Sequence, residues 1–137
     1  MTEERQAVFN TKLHEVATLA KAQELILTPE DGTSTEERWE KEKAFLCDHI
    51  GENICINPES VVLDYGCGVG RLSKALIDKY DCRVVGVDSS QSMRLLATDY
   101  VLSDRFTVWS PETFEKVCKK KFPRRCRAFR MGLATRI

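Results

Sequence analysis

The sequence predicts an α/β chain: a parallel sheet with flanking helices, incomplete at about three strands, preceded by an N-terminal helical cap. Three observations predict it. Short apolar runs, "VVLDY", "CRVVGVD" and "RFTVW", alternate with stretches of helical period. Strands separated by helix-length segments are the pattern of parallel strands joined by crossover helices. A glycine-rich turn, "GCGVG", stands between the first such strand and the first such helix.

Each element has its own local signal. Residues 4–27 read as a helix, with Phe9, Leu13, Val16 and Ala20 on one face and Thr28-Pro29 and Asp31-Gly32 as punctuation. "STEERWEKEKAFLCDHI" opens a second helix. Ser34 and Glu37 stand at capping-box spacing, Trp39, Leu46 and Ile50 form its stripe, and Gly51 is the expected stop. From Asn57-Pro58 the period changes. "VVLDY" reads as a strand buried on both faces. A helix over 70–80 follows, with Leu72, Ala75 and Leu76 inward. "CRVVGVD" is a second buried strand, and Ser89 or Ser90 caps the next helix. After the third strand, Ser110-Pro111 suits an N-cap with proline at the first helical position, opening a helix over 111–118. The chain therefore divides into a helical cap over 1–57, a partial α/β unit over 58–118 and a basic tail over 119–137.

The 137 residues suffice for one domain with a modest core. No apolar run is long enough for a membrane span, and "MTEERQAVFN" does not read as a secretory signal, so no membrane association and a cytoplasmic location are expected. The six cysteines have no CxxC spacing, and reduced thiols are expected. Cys47 and His49 are close enough in sequence to share a metal, but ordinary packing is the stronger reading and no metal is expected. The net charge of zero hides a gradient: 12 acids and 6 bases over 1–57, then 9 bases and no acid over 116–137.

The glycine loop carries the chemistry. Glycines allow unusual backbone angles and close approach of a ligand, and free N–H groups at a helix start face the same crevice. In open parallel sheets ligands bind beyond the carboxyl ends of the strands, where both this loop and Asp88 lie. The dinucleotide fingerprint G-x-G-x-x-G fits at Gly66 and Gly68 but meets Arg71 at its last position. Asp64, two residues before the first glycine, would repel a pyrophosphate and suit an ammonium or sulfonium group. A nicotinamide-binding oxidoreductase is disfavoured on both counts. A P-loop is excluded because no Gly-Lys-Ser/Thr follows.

"VLDYGCGVGRL" resembles the first motif, D-x-G-x-G-x-G, of class I S-adenosylmethionine-dependent methyltransferases. "VVGVDSSQSM" resembles their second, an acid at the end of the second strand. The resemblance covers roughly residues 35–115 and implies a Rossmann-like fold and S-adenosylmethionine as cofactor. It implies that Asp64 organises the methionine amino end and that Gly66, Gly68 and Gly70 let the backbone pass the cofactor. Asp88 would take both ribose hydroxyls, and Ser89 and Met93 would lie near the adenine. Cys67, between the glycines, reads as a small filler lining the same loop. Arg71 either touches the cofactor carboxylate or is solvated. Asp64 as a turn cap and Asp88 as a helix N-cap are the structural alternatives.

The family's sheet has more strands than this chain supplies. After Val117, "CKKKFPRRCRAFRMGLATRI" lacks strand patterning. A truncated or frame-shifted product, a basic tail binding nucleic acid or an acidic partner, and plain disorder all account for it. Residues 119–137 are expected not to pack in the sheet, leaving an exposed edge open to self-association. The expected function is methyl transfer to an acceptor that the sequence does not name, by catalytic residues it does not reveal. The alternative is a non-catalytic cofactor-binding or interaction fragment.

Overall fold

The computed structural model describes residues 15–27, 32 and 34–121. Five helices and three strands follow in the order α1 (Leu19–Ile26), α2 (Thr35–Asn53), β1 (Val61–Tyr65), α3 (Arg71–Tyr80), β2 (Arg83–Val87), α4 (Gln91–Val101), β3 (Phe106–Trp109) and α5 (Pro111–Lys121). The strands form one parallel sheet in the order β1-β2-β3. This is the expected partial Rossmann-like fold.

Most helix starts lie where side chains can satisfy the first free N–H groups. Ser34 and Glu37 form both bonds of the capping box on α2. Ser90 accepts from the Met93 amide on α4. Ser110 accepts from Thr113 at the start of α5. Among the described residues the first helix is shorter than its apolar period suggests. Thr18 is extended and caps Lys21, so Glu15 to Thr18 lie outside α1, while residues 4–14 lie outside the described part of the chain. Gly51 does not stop α2, which runs two residues further. A side chain at Gly51 would collide with the Tyr80 ring, so the glycine serves a close helix crossing.

The sheet register builds the core row by row. Val62, Val84 and Phe106 are in register across the strands. They face a cluster of Leu76 and Ile77 from α3, Val101 from α4, and Cys47 from α2. The last row, Tyr65, Val87 and Trp109, ends the sheet on the other face. There Phe114 of α5 sets its ring against Tyr65 at 6.0 Å and Trp109 at 6.4 Å.

One expectation about β1 is corrected. Its apolar run reads as a strand buried on both faces, yet Val61 is 66% and Tyr65 62% exposed. Its only sheet neighbour among the described residues is β2, so one edge and part of one face stay open.

A second cluster joins the helical cap to the sheet. Ala22 and Leu27 from the α1 region, Trp39 of α2, Val69 of the glycine loop and Met93 of α4 are all buried together. Trp39 is its centre. Its indole N–H donates to Tyr100 Oη at 3.3 Å, its ring meets Tyr100 edge to face, and the Arg71 guanidinium lies 4.8 Å from its centroid.

Trp39→Ala should therefore cost about 3–5 kcal/mol, the range for emptying a large aromatic site. Trp39→Phe should cost clearly less, because the packed ring remains. Denaturant midpoints check this. An unchanged midpoint for the alanine variant would mean that α2 is not anchored to the sheet.

Candidate cofactor site

The site begins where β1 ends. Gly66 and Cys67 both donate their amides to Val87 O, at 2.7 and 3.1 Å, so the chain turns across the end of β2. Gly66, Gly68 and Gly70 all have positive φ, at 84°, 54° and 77°. That left-handed region is strained for side-chain-bearing residues. The space beside them differs. A side chain at Gly66 would meet nothing within 4 Å, so this stretch of backbone is open to a ligand. A Cβ at Gly70 would lie 2.6 Å from Val101, so this glycine serves packing against α4.

Asp88 closes the loop from the neighbouring strand. Its Oδ2 accepts the Gly68 amide at 2.9 Å and its Oδ1 accepts the Ser90 amide at 2.8 Å. One carboxylate thus fixes both the glycine loop and the start of α4. Its structural alternative, the helix N-cap, does not describe it, since the N-cap of α4 is Ser90. Each carboxylate oxygen has more than one acceptor direction, so both can still receive a ligand hydroxyl. Arg94 holds the same turn from behind, donating to the carbonyls of Asp88 and Ser89 at 2.7 and 3.0 Å.

Asp64 lies deeper. The Ser73 hydroxyl, in the first turn of α3, donates to its Oδ2 at 2.7 Å. Burial pushes its carboxyl above the ordinary value of 3.8; hydrogen bonds from Ser73 oppose the rise and the Asp88 charge adds to it.

The other expected residues divide by location. Ser89 is exposed beside Asp88. Met93 is 2% exposed and packs in the cap cluster. Cys67 is buried, its thiol pushed up chiefly by burial, with its sulfur over Gly86, where a Cβ would come within 2.9 Å. Arg71 is not the solvated arginine that one of its two expected readings gave. It lies on Trp39 and 3.5 Å from Glu42 Oε2, with a side chain only 15% exposed. No group of His, Cys, Asp and Glu that could hold a metal occurs among the described residues.

Sequence reasoning missed four contributors. Ser73 and Arg94 stand in the first turns of the helices that follow the two acids, which is a usable signal. Val69 is buried inside the glycine loop and anchors it to the cap. Ile26 of α1 reaches to within 3.6 Å of the position a Gly68 Cβ would take, so the helical cap borders the site. No local pattern announces that contact.

Residues 62–120 match the family model described as "Methyltransferase domain". No curated protein matches the sequence. Among solved structures, coclaurine N-methyltransferase bound to N-methylheliamine and SAH is 28% identical at a TM-score of 0.46, the match covering 60% of this chain and 24% of that one. Geranyl diphosphate methyltransferase in complex with SAM is 23% identical at 0.45, covering 69% and 40%. A SAM-dependent methyltransferase from Anabaena variabilis is 21% identical at 0.45, covering 77% and 46%. The chain thus spans less than half the length of each of these structures.

The raised carboxyl of Asp64 makes a stability prediction. Its contribution is fully present below the ordinary value of 3.8 and is lost as pH rises through the folded-state value. Asp64→Asn removes that loss, so the variant's melting temperature should gain on the parent's between pH 4 and neutrality. Parallel melting profiles across that range would show that the carboxyl is not buried.

Proposed function

We propose that the glycine loop and Asp88 bind S-adenosylmethionine for methyl transfer to an acceptor, a reading supported by the match of residues 62–120 to the methyltransferase domain family model. The observation that carries this is the Asp88 clamp. A carboxylate bridges the two elements that border the crevice, beside a loop glycine with open space before it. The residues fit the cofactor. Asp88 keeps acceptor capacity for a pair of ribose hydroxyls, Ser89 is exposed next to it, and the Gly66 backbone can approach the methionine portion. Asp64 supplies negative charge behind the loop toward the amino end, through the Ser73-bonded carboxyl. Met93 supports the adenine side from within the cap cluster rather than from the surface.

When bound, the cofactor supplies a methyl group already activated on a sulfonium, so the protein's work is to orient it and exclude water. The loop fixes position through amides, and the cap, through Ile26 and Val69, supplies an apolar border. Cys67 takes no chemical part, since its thiol is held protonated by burial and only the thiolate is nucleophilic. Cys47, Cys55, Cys67 and Cys82 are free thiols, which suits a reducing, cytoplasmic setting. No described helix is long and apolar enough to cross a membrane.

Calorimetry should show tighter binding of S-adenosylmethionine or S-adenosylhomocysteine than of NAD; the reverse order would overturn the proposal. Asp88→Ala should weaken that binding by roughly 1.5–3 kcal/mol, the scale of hydrogen bonds to a charged acceptor. It should also lower the melting temperature, because the Gly68 and Ser90 amides lose their partner. A melting loss with unchanged affinity would leave Asp88 a purely structural clamp.

A further inference from the structure

Ser73 puts a hydroxyl where the packing calls for an apolar residue. It is fully buried, on the face of α3 that also carries Leu76 and Ile77. A buried hydroxyl is costly unless it is hydrogen-bonded, and this one donates to Asp64 Oδ2 at 2.7 Å. Burial drives Asp64 toward its neutral form, and the Asp88 charge at the end of β2 adds to that drive. Among the described residues only Ser73 opposes it, through its hydroxyl first and its backbone second. The other groups around Asp64 are engaged elsewhere. From the loop, the Cys67 thiol is held protonated by burial. From α4, Arg94 donates to the Asp88 and Ser89 carbonyls. On α3 itself, Arg71 lies on Trp39 and Glu42 of α2, and Lys74 pairs with Asp78.

We propose that Ser73 is a positioning residue for the cofactor: by donating to one oxygen of Asp64 it holds that carboxylate as an anion for the ammonium of the methionine end. This rests on the cofactor reading above and adds to it a built-in pH dependence. A hydrogen bond donated to the ionised form favours that form. Without the hydroxyl, burial and Asp88 meet less opposition, and Asp64 takes its proton at higher pH. A protonated Asp64 offers an ammonium no opposite charge, so cofactor affinity falls on the acid side. That fall begins at higher pH when the hydroxyl is missing. Where Asp64 is ionised in both proteins, the two bind alike. The ribose end is untouched, because the Asp88 oxygens are held by Gly68 and Ser90 and not by Ser73.

Calorimetry on the full chain tests this with two ligands: S-adenosylhomocysteine, and methylthioadenosine, which shares the adenosine and sulfur but has no ammonium. Compared with the parent, Ser73→Ala should bind S-adenosylhomocysteine about tenfold more weakly at about pH 5 and within about twofold at about pH 8. Methylthioadenosine should bind both proteins alike at each pH. Carboxyl-carbon nuclear magnetic resonance follows Asp64 itself. Its titration should move to higher pH in Ser73→Ala, and to lower pH when the parent binds S-adenosylhomocysteine. A loss of affinity that is equal at both pH values, or equal for the two ligands, makes Ser73 a packing residue and overturns the proposal. So does an Asp64 titration in the parent that S-adenosylhomocysteine leaves in place, a result that stands even if the variant does not fold. If neither ligand binds the parent, the cofactor reading falls and this proposal with it. If both bind and the variant keeps the parent's pH profile, this proposal alone falls.

Discussion

The site depends on one carboxylate and the two amides it accepts. Asp88, at the end of β2, takes the Gly68 N–H with one oxygen and the Ser90 N–H with the other. A loop with three left-handed glycines has many backbone states available, and ordering it costs entropy. Two charge-assisted bonds select one of those states and tie it to the start of α4. The supporting contacts act on the same turn. Val87 O receives the Gly66 and Cys67 amides, Trp109 O receives the Asp88 amide, and Arg94 holds the outgoing carbonyls. The parallel register that sets Tyr65, Val87 and Trp109 abreast therefore also aligns the ends from which the loop and Asp88 project.

Asp64 and Asp88 divide the electrostatics between them. Asp88 is satisfied by amides beside the glycine loop, where the Gly66 backbone is open. Asp64 sits behind the loop, bonded by Ser73 and pushed toward its neutral form mainly by burial. A cation brought to the crevice would favour the ionised form of Asp64 and relieve part of that cost. The fold thus keeps a destabilising carboxyl behind the glycine loop, where, in the function proposed above, a positively charged cofactor end would offset it.

Much of the site could be read locally. The glycines, Asp64 and Asp88 lie at strand ends that short apolar runs announce, and Ser34, Ser90 and Ser110 cap helices through contacts three residues away. What escaped the sequence depends on distant partners. Arg71 reads as a first-turn arginine free to reach ligand or solvent; only the fold sets it over Trp39. Gly51 reads as a stop because nothing nearby shows the Tyr80 ring. Thr18 begins α1 because its hydroxyl caps Lys21, although the apolar period continues upstream of it. The apolar run of β1 signals burial on both faces, but which strands lack a second neighbour among the described residues shows only in the sheet order.

The most direct test of the clamp is an amide nuclear magnetic resonance titration of the chain with S-adenosylhomocysteine. If the loop and Asp88 form the cofactor site, the largest shifts fall on Gly66, Gly68, Asp88 and Ser89, with Val61 and Leu63 unmoved. Binding that leaves those four amides in place and shifts a different surface would contradict it.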